Sequence, residues 1–176
     1  MARIPYVPAD LTEPREIVDA VRARRGGTLL NLDRMLLHSP ELAAGWNAFL
    51  GAVRNRLALP PKLRELAMCV VAVLNDAEYE FIQHAPEFRK AGGTQAQLDA
   101  LREPEKARSD EANFDATERA ALAVAIASTR SVHVPESDFA ALAQRLGERE
   151  TVEFVATVAT YNMVSRFLVA LGVEPE

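Results

Sequence analysis

Residues Glu65 to His84 read ELAMCVVAVLNDAEYEFIQH. From Leu66 to Leu74 the run is apolar without a break. Its valines, at 70, 71 and 73, sit among alanine, leucine and methionine in a segment too long for a typical strand, so the spacing predicts a buried helix. Asn75 and Asp76 interrupt it. Asn75 with Glu78 has the spacing of a capping box, which predicts a second helix starting there. On that helix Glu80 and His84 are four apart and share a face, one turn from each other. Pro86 removes an amide and disfavours helical geometry at Ala85, which predicts a kink or restart just after His84.

Outward from this pair the chain continues in the same style. Ser39-Pro40-Glu41 is a helix start, with a cap, a proline in the first turn and an acid near the positive end. Leu42, Trp46, Phe49, Leu50 and Val53 then recur at helical spacing to about Leu57. Pro60 and Pro61 open the apolar helix itself. Upstream, Thr12 is a candidate cap for a helix ending at Arg25, stopped by Gly26 and Gly27. The leucines between Thr28 and Leu37 suit a short buried helix. Downstream, Thr94 with Gln97 and Asp115 with Glu118 are two more capping boxes. Between them the polar stretch REPEKARSDEANF, residues 102–114, reads as a surface loop. Pro135 starts a helix to Leu146, Gly147 stops it, and Glu148 to Leu171 forms the last. No segment shows sustained strand alternation. The expectation is an all-α protein of about nine helices, one domain over residues 1–176.

Composition narrows the function classes. Of 176 residues, 49% are apolar and 26% charged, as in ordinary globular proteins, with a net charge of -5. Nucleic-acid binding needs a concentrated basic patch. The one basic run, Arg22, Arg24 and Arg25, ends a helix, where it complements the dipole. No nucleic-acid partner is expected. No run of about 18 apolar residues and no apolar leader core is present, so neither a membrane span nor export is expected, and the location expected is cytoplasmic. Cys69 is the single cysteine, which excludes an intrachain disulfide and a cysteine metal cluster. One histidine in the cluster and no H-x-x-x-H spacing argue against a metal, and no glycine-rich phosphate loop is present. No cofactor is expected.

The chemistry-bearing candidates gather at the opening stretch. A carboxylate beside an imidazole handles protons. As a solvated pair, Glu80 and His84 would contribute only a few tenths of a kcal/mol. Tyr79, Phe81 and Ile82 leave their helix little purely polar surface, however. Glu65, near the start of the preceding helix, joins the pair if the two helices fold against each other. Cys69 lies on an apolar face, where a thiol is usually inert. His38 and His133 carry no expected role, and Trp46 and Tyr161 read as core or interface aromatics.

The stretch RELAMCVVAVLNDAEYEFIQH resembles the signature of the carboxymuconolactone decarboxylase family, within the alkyl-hydroperoxidase-like superfamily. Arg64-Glu65-Leu66-Ala67, Glu78-Tyr79-Glu80 and His84 match in order. The similarity extends to LLNLDRMLLHSPEL and YNMVSRFLVALGVE, with a family core over roughly residues 40–130. The thiol branch of that superfamily carries a Cys-x-x-Cys pair four residues before the histidine. Those positions fall here at Ala77 and Glu80, so both thiols are missing.

The resemblance implies a cofactor-free lyase acting on a carboxylated lactone of aromatic catabolism. His84 would be the general acid, oriented by Glu80, with Glu65 tuning the site. Arg64 and Arg166 are the candidate partners for a substrate carboxylate, with Tyr79 as a further substrate contact. The resemblance also implies homo-oligomers, commonly trimers or hexamers. Two other readings stand beside this one: a hydroperoxidase relative by descent only, and a helical binding protein that has lost catalysis.

Overall fold

The computed structural model describes all residues from Met1 to Glu176 and contains nine helices and no strand. They are α1 (Arg15–Arg25), α2 (Asn31–Leu36), α3 (Pro40–Asn55), α4 (Pro61–Leu74), α5 (Glu78–Lys90), α6 (Gln95–Ala100), α7 (Pro104–Ala107), α8 (Ala116–Ser131) and α9 (Glu136–Leu171). The all-α expectation holds. The chain forms two compact units, one of Met1–Arg56 with Leu168–Glu176 and one of Leu57–Phe167.

In the first unit α1 and α2 pack on α3. Asp33, almost fully buried, is held by the guanidiniums of Arg24 and Arg25, at 3.2 and 2.9 Å. The basic run of α1 is therefore spent partly on an internal carboxylate. Helix α1 begins at Arg15, with Pro14 in the cap position and no side-chain cap, so Thr12 does not cap it. On α3, Trp46, Leu50 and Val53 are buried as the periodicity predicts, together with Ala43, whereas Leu42 and Phe49 lie on the exposed face.

The second unit is built around α4. Every residue from Leu66 to Ala72 is buried, as a helix apolar on all sides must be. Helices α5 and α8 pack against it. Burying each of its large side chains contributes about 1.5–3 kcal/mol.

The turn from α4 to α5 takes three residues. The Ala77 amide donates to Ala72 O at 2.8 Å and the Asp76 amide to Val73 O at 3.2 Å. Asp76 adopts φ 53 between them. This is a Schellman-type stop with aspartate in the left-handed position, which short polar side chains tolerate. It folds α5 back along α4. Asn75 is thus the C-cap of α4, and the N-cap of α5 is Ala77, so the expected Asn75–Glu78 box is not formed. The Asn75 side chain instead donates to Asn162 Oδ1 at 3.0 Å.

The kink expected at Pro86 is also absent: α5 runs through it to Lys90. The amide that Pro86 lacks would have bonded Ile82 O, and Ile82 is on the exposed face of α5, so the lost bond is not one of the buried core.

The Thr94–Gln97 and Asp115–Glu118 capping boxes form as predicted. Glu118 also takes Lys62 Nζ at 2.6 Å, tying the start of α8 to the first turn of α4. Inside the expected loop 102–114, Pro104–Ala107 closes a short helical turn and Phe114 is buried. Gly147, at φ 76 and ψ 174, divides α9 into the two segments predicted. The window of α9 richest in apolar residues has a mean hydropathy of 1.4, enough to cross a membrane by length and composition, but half of it is buried inside the protein. Phe154, Val158 and Tyr161 supply that buried side, which marks α9 as a core helix.

Candidate active site

Three helices of the second unit supply the polar groups. The hairpin of α4 and α5 sets Glu65 against His84, with the imidazole Nδ1 donating to Glu65 Oε2 at 2.7 Å. A carboxylate only accepts, so the Nδ1 proton is assigned from this contact, and Nε2 of the neutral ring is left as the acceptor. Tyr161, on α9, places its hydroxyl 2.9 Å from Nε2 and donates to it when the ring is neutral. Its ring meets the imidazole edge-on, centroids 4.9 Å apart at 85°. Glu65 is 6% exposed, His84 7% and Tyr161 not at all. The imidazole is therefore fixed at both nitrogens, away from bulk water.

Glu80 is buried on the same helix, and its Oε2 lies in short contact with Ser165 Oγ of α9. Tyr161 and Ser165 are four apart and face the cluster together. The carboxylate that hydrogen-bonds His84 Nδ1 is thus Glu65, which joins the pair from the preceding helix. The reason lies in the turn: folding α5 along α4 brings a residue of the neighbouring helix to the ring nitrogen.

The remaining candidates divide. Arg64 is partly buried, its side chain 14% exposed, with Nε 3.5 Å from Glu65 Oε1, so it adds a cation at the edge of the cluster. Arg166 is exposed, and its guanidinium donates to Asn162 O and Oδ1 at 2.9 and 2.8 Å. Five residues beyond Tyr161, it lies about 140° round the helix from it, and the structure does not bring it to His84. Tyr79 is buried but likewise lies about 140° from His84 on α5.

Cys69, one turn after Glu65, is fully buried. Burial, reinforced by the negative charge of Glu65, pushes its thiol far above the ordinary range. At the mouth of α5, Arg102 forks onto Glu78 at 2.8 and 3.1 Å and stacks over Phe81, 3.6 Å from the ring centroid. No group of three or more side chains is arranged to hold a metal ion.

Sequence reasoning missed Tyr161 and Ser165. The signal for them was two hydroxyl side chains four apart, on one face of α9.

The carboxymuconolactone decarboxylase family model matches residues 40–127, which contain α4 and α5 with Glu65, Glu80 and His84. Among curated proteins no relative matches significantly. The fold is similar to that of an uncharacterized peroxidase-related protein from Silicibacter sp., with a TM-score of 0.80 at 19% identity over 99% of this chain and 90% of that one. It is similar to an alkylhydroperoxidase AhpD core protein from Ralstonia eutropha, with a TM-score of 0.79 at 20% identity over 99% and 92%. It is also similar to the debrominase Bmp8 in complex with 2,3,4-tribromopyrrole, with a TM-score of 0.82 at 19% identity over 100% and 94%. At such identities the likeness is one of fold.

Proposed function

We propose that this chain, which belongs to the carboxymuconolactone decarboxylase family, is a cofactor-independent enzyme that moves a proton on a carboxylated lactone or related carbonyl acid, a decarboxylase-like carbon–carbon lyase. The observation that carries this reading is the buried imidazole of His84 held between Glu65 and Tyr161.

Loss of carbon dioxide leaves an electron pair on carbon, which the adjoining carbonyl delocalises. One proton must then be returned to that carbon. Protonated at Nε2, His84 supplies it by way of the Tyr161 hydroxyl, whose own proton goes to the carbon as the Nε2 proton replaces it, and solvent reprotonates the ring afterwards. Glu65 fixes the ring in one orientation and balances its charge when the ring is protonated, in the manner of the acid behind a catalytic histidine. Arg64 offers the cation for the substrate carboxylate.

The test is turnover of a panel of carboxylated lactones by wild type and His84→Gln. The expected loss is about 10²–10⁴-fold. Equal turnover in the two proteins removes His84 from the reaction, and an inert wild type removes the substrate class.

Peroxide reduction by descent is the second reading, favoured by the peroxidase-related proteins of the same fold. It has only the buried Cys69 thiol to work with. Peroxide consumption that disappears in Cys69→Ser would favour it over the lyase. We further propose a cytoplasmic homo-oligomer. The exposed Val152 and Met163 on α9 and Ile82 on α5 are apolar surface suited to a second copy, and light scattering of the purified chain reads its mass directly.

A further inference from the structure

The Ser165 hydroxyl makes two close contacts and carries one proton. Its Oγ is 2.8 Å from the backbone carbonyl of Tyr161 and in short contact with Glu80 Oε2. A carbonyl oxygen only accepts. If the serine proton goes to Glu80, the carbonyl contact becomes two oxygens facing each other with nothing between them. If it goes to the carbonyl, the contact with Glu80 requires a proton on Glu80. The other hydroxyls of α9 indicate which holds. Thr151, Thr157 and Thr160 each donate to the carbonyl four residues back, at 2.6, 2.7 and 2.7 Å, and Ser165 repeats that geometry.

Burial points the same way. Glu80 is 2% exposed and Ser165 fully buried, and desolvation favours the uncharged acid, as does a second carboxylate nearby. The titratable and charged groups of the cluster are Glu65 of α4 with Arg64 beside it, His84 of α5, Tyr161 of α9, and Cys69 of α4, on which Glu65, Glu80 and Arg102 all act. Arg102 pairs with Glu78 at 2.8 Å, and Arg64 Nε lies 3.5 Å from Glu65 Oε1.

We propose that Glu80 is held as a neutral carboxylic acid, its Oε2 proton donated to Ser165 Oγ, so that the site contains one buried carboxylate instead of two. The proton assignment stands on geometry. Its use rests on the reading above: a substrate that is itself an anion can approach Glu65, His84 and Arg64 without meeting a second negative charge.

Infrared spectroscopy of the full chain at neutral pH tests the assignment. A protonated carboxyl has a C=O stretch that carboxylates lack. The expected result is one such band that moves in D₂O, disappears in Glu80→Gln and shifts in Ser165→Ala. Absence of the band in wild type, or a band that both variants leave untouched, overturns the proposal. The Ser165→Ala shift supplies the assignment should Glu80→Gln fail to fold.

Denaturant unfolding of wild type and Glu80→Gln across pH is the second measurement. A proton kept by the folded state and released on unfolding costs wild type stability as pH rises. Above the ordinary glutamate value of about 4.3, its unfolding constant should rise tenfold per pH unit relative to the variant, up to the folded-state value. A flat ratio, or one moving the other way, overturns the proposal. Neither measurement uses turnover, so failure here leaves the lactone reading standing, and failed lactone assays leave the Glu80 assignment intact.

Discussion

Tyr161 closes the imidazole of His84 from the side opposite Glu65: its hydroxyl is 2.9 Å from Nε2 while the carboxylate is 2.7 Å from Nδ1. The two bonds come from separate helices, so the ring cannot turn without breaking one of them. Removing the phenol oxygen in Tyr161→Phe leaves Nε2 buried without this donor. The expected cost is about 1–3 kcal/mol of stability, from a polar group left unsatisfied, measured by denaturant unfolding. On the proposed proton-transfer role of this bond, the same variant should lose rate without a matching rise in KM.

Cys69 should be silent towards thiol reagents in the folded protein. Burial and the Glu65 charge push its thiol up, and the thiolate is the reactive form. A chromogenic disulfide reagent should report no fast-reacting thiol in native buffer and one in denaturant. Rapid labelling of the native chain would contradict the burial of α4.

Glu78 should titrate below an ordinary glutamate. The hydrogen bonds from Arg102 are the main cause, opposed by slight burial. A depressed folded value means stability that is present above the unfolded value of about 4.3 and lost as pH falls through the folded one. The pair is largely exposed, so it contributes at most about 1 kcal/mol. Arg102→Ala should return Glu78 to the ordinary range in a carbon-detected NMR titration. High salt should produce part of the same change.

Gly93→Ala should destabilise the chain. A Cβ at this position would lie 2.2 Å from the ring of Phe88, which is fully buried. Either the ring leaves its packing or the loop after α5 shifts, at a cost of about 1–3 kcal/mol. An unchanged melting temperature would show that the ring is free to move.

The helices and most of their ends were readable because the signals are local. The Thr94–Gln97 and Asp115–Glu118 boxes and the stop at Gly147 each depend on residues within one turn. Asn75 was misread because a capping residue and a C-terminal stop use the same side chain, and only the left-handed Asp76 tells them apart. At Pro86 the propensity argument lost because the missing bond falls on the solvent side of α5. The site was half readable. Glu65, Glu80 and His84 lie within one hairpin, whereas Tyr161 is 77 residues from His84 and Ser165 is 85 from Glu80. Helical periodicity could show that Tyr161 was buried but could not reveal which side chain it faced. Arg166 shows the converse: a cation on an apolar helix draws attention, yet it faces outward.

Tyr161 and Ser165 leave α9 one turn apart, one reaching the imidazole and the other the second acid. A lengthwise slip of this helix by a single residue would therefore unhook both contacts in the same movement. Lesions well away from the polar cluster that loosen the seating of α9 should thus break up the cluster before they unfold the chain.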